Sequence, residues 1–200
     1  MKKLIWLAFA AFCFSAVSYA QSTPSGRADV YGTYTFQNNR SNGDSLNANG
    51  FSVGTNLWLT KSFGINGEYT FGTGNRDASL TVGTPPTTVT ADLRARYNTF
   101  VAGPVYRFNP DGRVEPFVRA LFGATRVSTR FSTNVPAVPR IEDDATSFTF
   151  IGGGGLDVNL TQSKRVAFRL VSVDYQFIRD NRIADSQNGV RVSTGLIIRF

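Results

Sequence analysis

Beyond Ala20 no apolar run approaches the roughly 20 residues that a membrane-spanning helix needs. Eight stretches instead alternate apolar and polar residues in period two. Such alternation is the mark of strands with two unlike faces. The clearest spans 189–200, where Val190, Val192, Thr194, Leu196, Ile198 and Phe200 alternate with Arg191, Ser193, Gly195, Ile197 and Arg199. The others lie at about 27–37, 50–60, 63–72, 93–108, 113–127, 146–160 and 165–177. In the fourth, Tyr97, Thr99, Val101, Gly103 and Val105 form the more apolar face and are assigned outward. That assignment puts Arg94, Arg96 and Asn98 inward. In the seventh, Arg169 and Asp174 have opposite parity, which a β-bulge between them would reconcile.

The connections alternate in length. Links after the second, fourth and sixth stretches are short: Lys61-Ser62, Asn109-Pro110-Asp111-Gly112 and Thr161-Gln162-Ser163. The other four, at 38–49, 73–92, 128–145 and 178–188, are long and polar. Short turns at one end and long loops at the other are expected of an up-and-down transmembrane barrel. A soluble up-and-down barrel shares the strand count but has an apolar interior. The polar faces favour the membrane form, because they carry both charge signs: Asp29, Glu68, Arg94, Arg96, Glu115, Arg119, Asp157, Arg191 and Arg199. A small lumen can pair such groups, whereas a lipid-facing charge costs about 2–4 kcal/mol at mid-bilayer. Aromatic residues near strand ends, such as Tyr34, Phe36, Tyr69, Phe71, Tyr97, Phe108, Tyr175 and Phe177, fit interfacial girdles. With 200 residues, sixteen spanning strands would leave almost no loop, so eight are expected. Ten remain open if 79–82 and 87–90 form a further hairpin within the second long loop.

The N-terminus reads as an export signal. Met1-Lys2-Lys3 is basic, 4–14 is apolar and uncharged, and Ser18-Tyr19-Ala20 is a small-x-small cleavage site. Residues 1–20 are therefore expected to be a cleaved signal peptide, with 21–200 the barrel domain. Loss of Lys2 and Lys3 with the leader lowers the net charge from +7 to +5.

Composition excludes much chemistry. The chain has no histidine, and its one cysteine, Cys13, lies in the leader. Ser-His-Asp and Cys-His catalysis, His- or Cys-ligated metal sites and a disulfide in the mature chain are all excluded. No catalytic residue, cofactor or metal site is assigned. Gly152–Gly155 precedes a strand pattern and lacks the helix and Lys of a phosphate loop, so a glycine-lined close approach is expected there. Glu142, Asp143 and Asp144 lack the ligand spacing of a calcium loop and read as a solvated cluster. The basic residues form no stripe, so nucleic acid is not an expected partner. Arg126, Arg130 and Arg140 in the long connections are instead placed to meet lipopolysaccharide phosphates.

The last eight residues, Ser193-Thr194-Gly195-Leu196-Ile197-Ile198-Arg199-Phe200, follow the pattern polar-x-Gly-x-x-apolar-x-apolar. This resembles the signal by which barrels are taken up by the outer-membrane assembly machinery, with Ser193, Gly195, Ile198 and Phe200 at its specified positions. Segments 100–108, 114–123, 152–160 and 166–175 resemble the small outer-membrane barrels of the OmpA/OmpX-like, porin-family superfamily. The resemblance spans about 27–200 and lacks the peptidoglycan-binding domain of full-length OmpA-type proteins. It implies an all-β, eight-stranded antiparallel barrel in the cell outer membrane, with short periplasmic turns and long extracellular loops. It also implies outer-membrane lipid and lipopolysaccharide as surroundings, and a monomer is expected.

An eight-stranded barrel is just wide enough for side chains to fill. Glu68, Glu115 and Asp157 opposite Arg94, Arg96, Arg119, Arg191 and Arg199 are expected to form a lumen charge network. A plugged, non-enzymatic barrel acting through its long loops is the favoured function. The alternative is a small passive channel, weakly anion-preferring because the named arginines outnumber the acids.

Overall fold

The computed structural model describes residues 28–41, 44–82, 87–133, 141–179 and 186–200. The expected signal peptide lies outside them. Eight strands close into one antiparallel barrel in sequence order. They are β1 (Ala28–Ser41), β2 (Asp44–Trp58), β3 (Phe63–Val82), β4 (Thr87–Arg107), β5 (Val114–Thr133), β6 (Ile141–Asn159), β7 (Val166–Ile178) and β8 (Gln187–Arg199). Closure runs through β1 and β8, with Val30 opposite Ile198 and Gln37 opposite Arg191, so no sheet edge is left to aggregate.

Three turns at one end are compact. Thr60 Oγ1 accepts from the Phe63 amide at 2.9 Å, and the Gly112 amide donates to the Asn109 carbonyl at 3.0 Å. Asn109 takes φ 52°, a left-handed conformation that asparagine tolerates well.

The other end differs from the expectation of four long loops. Most of 38–49, 73–92 and 128–145 is paired strand, and in the described part of 178–188 Ile178, Gln187 and Asn188 are paired. Ser79 lies opposite Thr90 and Val82 opposite Thr87, so the suspected extra hairpin is the continuation of β3 and β4, and the strand count is eight. The reason is physical. Crossing the bilayer takes about 9–11 residues per strand, while β3, β4 and β5 have 20, 21 and 20. The remainder stands in water, where both faces are polar and the alternation fades although the backbone ladder continues.

On β4 the assigned parity is reversed. Tyr97, Thr99, Val101 and Val105 are buried, while Arg94, Arg96 and Phe100 are exposed. Both faces of its lower half are apolar, so alternation alone could not choose between them. Val101 packs with Leu121 and Ile151, and Val105 with Trp58 and Phe117, forming two apolar layers inside the barrel.

On β7 the register slips between Arg169 and Ser172 against β8, and between Leu156 and Asp157 on the β6 side. Leu170 and Val171 take up the extra residue, and Arg169 and Asp174 both face the lumen.

The outer wall is a continuous apolar belt. It includes Tyr34, Phe51, Ile65, Phe100, Phe122, Phe148, Leu196 and Ile198, all large and exposed. A patch of this extent is far beyond what a soluble monomer shows. Paired rings brace it, with Tyr69 and Phe100 centroids 4.6 Å apart and Phe122 and Phe150 5.1 Å apart.

Candidate functional site

The lumen is filled by three tiers of charge. The central tier joins five strands. Arg119, on β5, donates from Nη1 to Glu68 Oε2 at 2.7 Å and from Nη2 to Asp174 Oδ2 at 2.7 Å. Arg191, on β8, reaches the same two acids, at 2.7 Å from Glu68 Oε1 and 3.1 Å from Asp174 Oδ2. The Tyr31 hydroxyl donates to Glu68 Oε2 at 2.7 Å. Each of these four charged side chains is at most 2% exposed. Two guanidiniums and two carboxylates thus form a closed, hydrogen-bonded ring, which is how buried charge is tolerated.

Small residues make this tier possible. A Cβ on Gly54 would stand 2.4 Å from the Tyr31 hydroxyl, and one on Gly153 would stand 2.6 Å from Asp174 Oδ1. In the expected glycine-lined stretch, Gly153 therefore makes room for an acid of the network.

The second tier is a fork between Arg169 and Asp157, at 2.9 and 3.1 Å. Its guanidinium lies 4.5 Å from the Tyr31 ring centre and 4.3 Å from that of Phe117. The third tier sits at the end with the compact turns. Arg199 Nη1 donates to Glu115 Oε1 at 2.9 Å and to Asn159 Oδ1 at 2.8 Å. Trp58 Nε1 donates to Asp29 Oδ2 at 2.8 Å, and the Arg107 guanidinium lies 4.0 Å from the Trp58 ring centre. A cavity between these tiers, lined by Trp58, Arg107, Glu115, Phe117, Arg169 and Arg199 among others, leaves about 10 Å³ open to a water-sized sphere. That is room for one water. Above the central tier, hydroxyls link across the wall, Thr35 to Ser52 at 2.9 Å and Thr99 to Thr125 at 2.8 Å.

A closed eight-stranded barrel with an apolar outside and a charged inside matches one family over nearly its full length. The outer membrane protein beta-barrel domain family matches residues 6–197. The chain belongs to this family. Solved structures agree on the fold of this outer-membrane barrel. Ail, the attachment invasion locus protein of Yersinia pestis, in complex with the heparin analogue sucrose octasulfate, superposes with a TM-score of 0.57 at 20% identity, covering 88% of this chain and 99% of that one. Neisserial surface protein A gives 0.53 at 13% identity, over 86% and 97%. No curated protein matches. The outer-membrane barrel is thus of the small OmpA/OmpX-like type.

Of the eight side chains expected in the lumen network, Glu68, Glu115, Arg119, Asp157, Arg191 and Arg199 are inside and paired. Arg94 and Arg96 are not: they face outward on the part of β4 beyond the apolar belt. Arg107, Arg169, Asp174 and Tyr31 are lumen residues that the expected network lacked. The opposite parity of Arg169 and Asp174 was the signal for two of them, and Arg107 shares the parity of Val101 and Val105. Among the described residues the inward arginines are Arg107, Arg119, Arg169, Arg191 and Arg199, and the inward acids are Asp29, Glu68, Glu115, Asp157 and Asp174. Five cations balance five anions, which removes the charge excess behind an anion preference.

At the outer rim, Arg126 pairs with Asp144 at 2.5 Å, both well exposed. Hydrogen bonds from the Ser128 hydroxyl and from Arg126 hold the Asp144 carboxyl below the usual carboxylate range. On the closing strand, Ser193 is buried, with its hydroxyl 3.1 Å from that of Thr35, while Ile198 and Phe200 are half exposed on the lipid face.

Proposed function

We propose that this outer-membrane barrel is a non-enzymatic, plugged structural protein that works through the hairpins and rim it presents outside the cell. The observation that carries this reading is the ring of Arg119, Glu68, Arg191 and Asp174, which bridges strands from opposite sides of the lumen with each group almost wholly buried. A permeant ion would have to part contacts of 2.7 Å among four desolvated charges. The lack of histidine, and of cysteine beyond the leader, supports a non-catalytic role. In the same reading the leader is removed on export, and Ser193, Gly195, Ile198 and Phe200 present the closing strand to the assembly machinery.

The test is single-channel recording of the purified protein in a planar bilayer. Silence from protein that is folded by circular dichroism and heat-modifiable on gels is the expected result. A steady, reproducible conductance would overturn the plug and restore the narrow-channel alternative.

A further inference from the structure

Three hairpins repeat one arrangement where the outer apolar belt ends. Tyr34-Thr35-Phe36 on β1, Tyr69-Thr70-Phe71 on β3 and Tyr175-Gln176-Phe177 on β7 share the pattern Tyr-x-Phe. In each, the phenylalanine stands directly opposite an asparagine of the paired strand: Phe36 opposite Asn49, Phe71 opposite Asn98 and Phe177 opposite Asn188. The tyrosine is then the diagonal neighbour of that asparagine, within reach of a long side chain. All three pairs close. The hydroxyls of Tyr34, Tyr69 and Tyr175 donate to Oδ1 of Asn49, Asn98 and Asn188 at 3.0, 2.9 and 2.8 Å. The hairpin of β5 and β6 lacks this device, since Ala124 stands opposite Phe148 there.

Each asparagine is the first polar outward residue past the belt. It lies two residues beyond Phe51 on β2, Phe100 on β4 and Val190 on β8, all large and exposed. Asn49 and Asn188 are exposed and Asn98 is half-buried. A carboxamide carries one oxygen and two N–H donors. The tyrosine fixes which way the oxygen points, and so fixes the N–H₂ as well. Among the described residues none accepts from these three N–H₂ groups. A donor at the edge of hydrocarbon is costly to leave unmet. The acyl carbonyls of lipid lie at that boundary, and they accept hydrogen bonds but donate none.

We propose that Asn49, Asn98 and Asn188, each held by its tyrosine, bind the acyl carbonyl oxygens of lipid in the leaflet at the hairpin end of the barrel. The belt sets the depth. The packed rings of Phe51 and Phe71, 5.7 Å apart, and of Tyr69 and Phe100, 4.6 Å apart, lie against the acyl chains. The amides follow one step further along, where chains give way to carbonyls. Neutral donors meet neutral acceptors, so the contact is indifferent to headgroup charge. It fixes how deep the barrel sits, and it stands whether or not the lumen conducts.

The experiment compares the protein refolded into vesicles of diacyl phosphatidylcholine with the protein in the dialkyl ether analogue of equal chain length. The two lipids share headgroup and chains, and only the first has carbonyls. N49A/N98A/N188A, checked by heat-modifiable migration, should lose about tenfold more in folding equilibrium constant in the ester lipid than in the ether lipid, read by urea titration. Equal losses in the two lipids would overturn the proposal and leave the asparagines a role within the wall alone. An ester dependence that survives in N49A/N98A/N188A but is lost in Y34F/Y69F/Y175F would also overturn it, in favour of direct tyrosine contacts. Cross-relaxation between the asparagine Nδ2 protons and lipid, in diacyl nanodiscs, tests the unmodified chain and needs no variant to fold. Contacts to the lipid protons beside the carbonyl are expected, and contacts to water alone would overturn the proposal.

Discussion

Replacing Glu68 by glutamine tests whether the central ring is one energetic unit. The substitution keeps shape and volume and removes one charge. Glu68 accepts from Arg119 and Tyr31 on Oε2, both at 2.7 Å, and pairs on Oε1 with Arg191 at 2.7 Å and Thr70 at 3.2 Å. A glutamine can serve one arginine through its carbonyl but turns an N–H₂ toward the other. Two guanidiniums, each about 2% exposed or less, are then left to share Asp174. Removing one partner from a buried ion pair costs about 3–5 kcal/mol, mostly as the burden of the charge left behind. Because these groups are buried, no discount for solvent screening applies. E68Q is therefore expected to lower the unfolding free energy by about 3 kcal/mol or more, read by urea titration in lipid vesicles with Trp58 fluorescence and heat-modifiable migration. Arg191→Met should cost a similar amount, and the E68Q/R191M double variant should fall short of additivity by about 0.5–3 kcal/mol. An E68Q barrel within about 0.5 kcal/mol of the parent, or a strictly additive cycle, would refute the reasoning.

Two further outcomes follow from the same geometry. Leu196, 55% exposed on the belt of β8, should cost about 2–4 kcal/mol when replaced by arginine if its depth is near the bilayer midplane, measured by the same titration. Deleting Phe200, whose amide donates to the Ala28 carbonyl at 2.9 Å while its ring is half exposed, should cut the amount of barrel assembled in cells but leave refolding into detergent nearly intact. Equal losses in both assays would make Phe200 a stability residue and not a recognition one.

How far the sequence was legible depended on depth in the membrane. Inside the bilayer a strand must show lipid an apolar face, and a narrow lumen accepts charge only in pairs, so β8 and β2 were readable residue by residue. Beyond the bilayer that constraint lapses. The upper halves of β3 and β4 carry polar residues on both faces and read as loops, although Ser79 still pairs with Thr90. The bulge in β7 was legible as a contradiction: Arg169 and Asp174 could not both be inside on a regular strand, and each was too costly to leave in lipid. The hydrogen-bond partners within the lumen were not legible, since they depend on which strands face one another across the closed barrel.

The reversal on β4 shows how much follows from parity alone. With Arg94 and Arg96 inside, the lumen would carry an excess of positive charge, and an anion-preferring pore would be the natural consequence. With Val101 and Val105 inside, β4 instead contributes apolar packing against Leu121, Ile151 and Phe117. The lumen charges then balance at five against five, and the tiers between them are walled by hydrocarbon. The two arginines that leave the lumen join Arg126 and Arg130 outside, where they are exposed. One register of alternation therefore moves positive charge from a conduction path to the rim above the lipid.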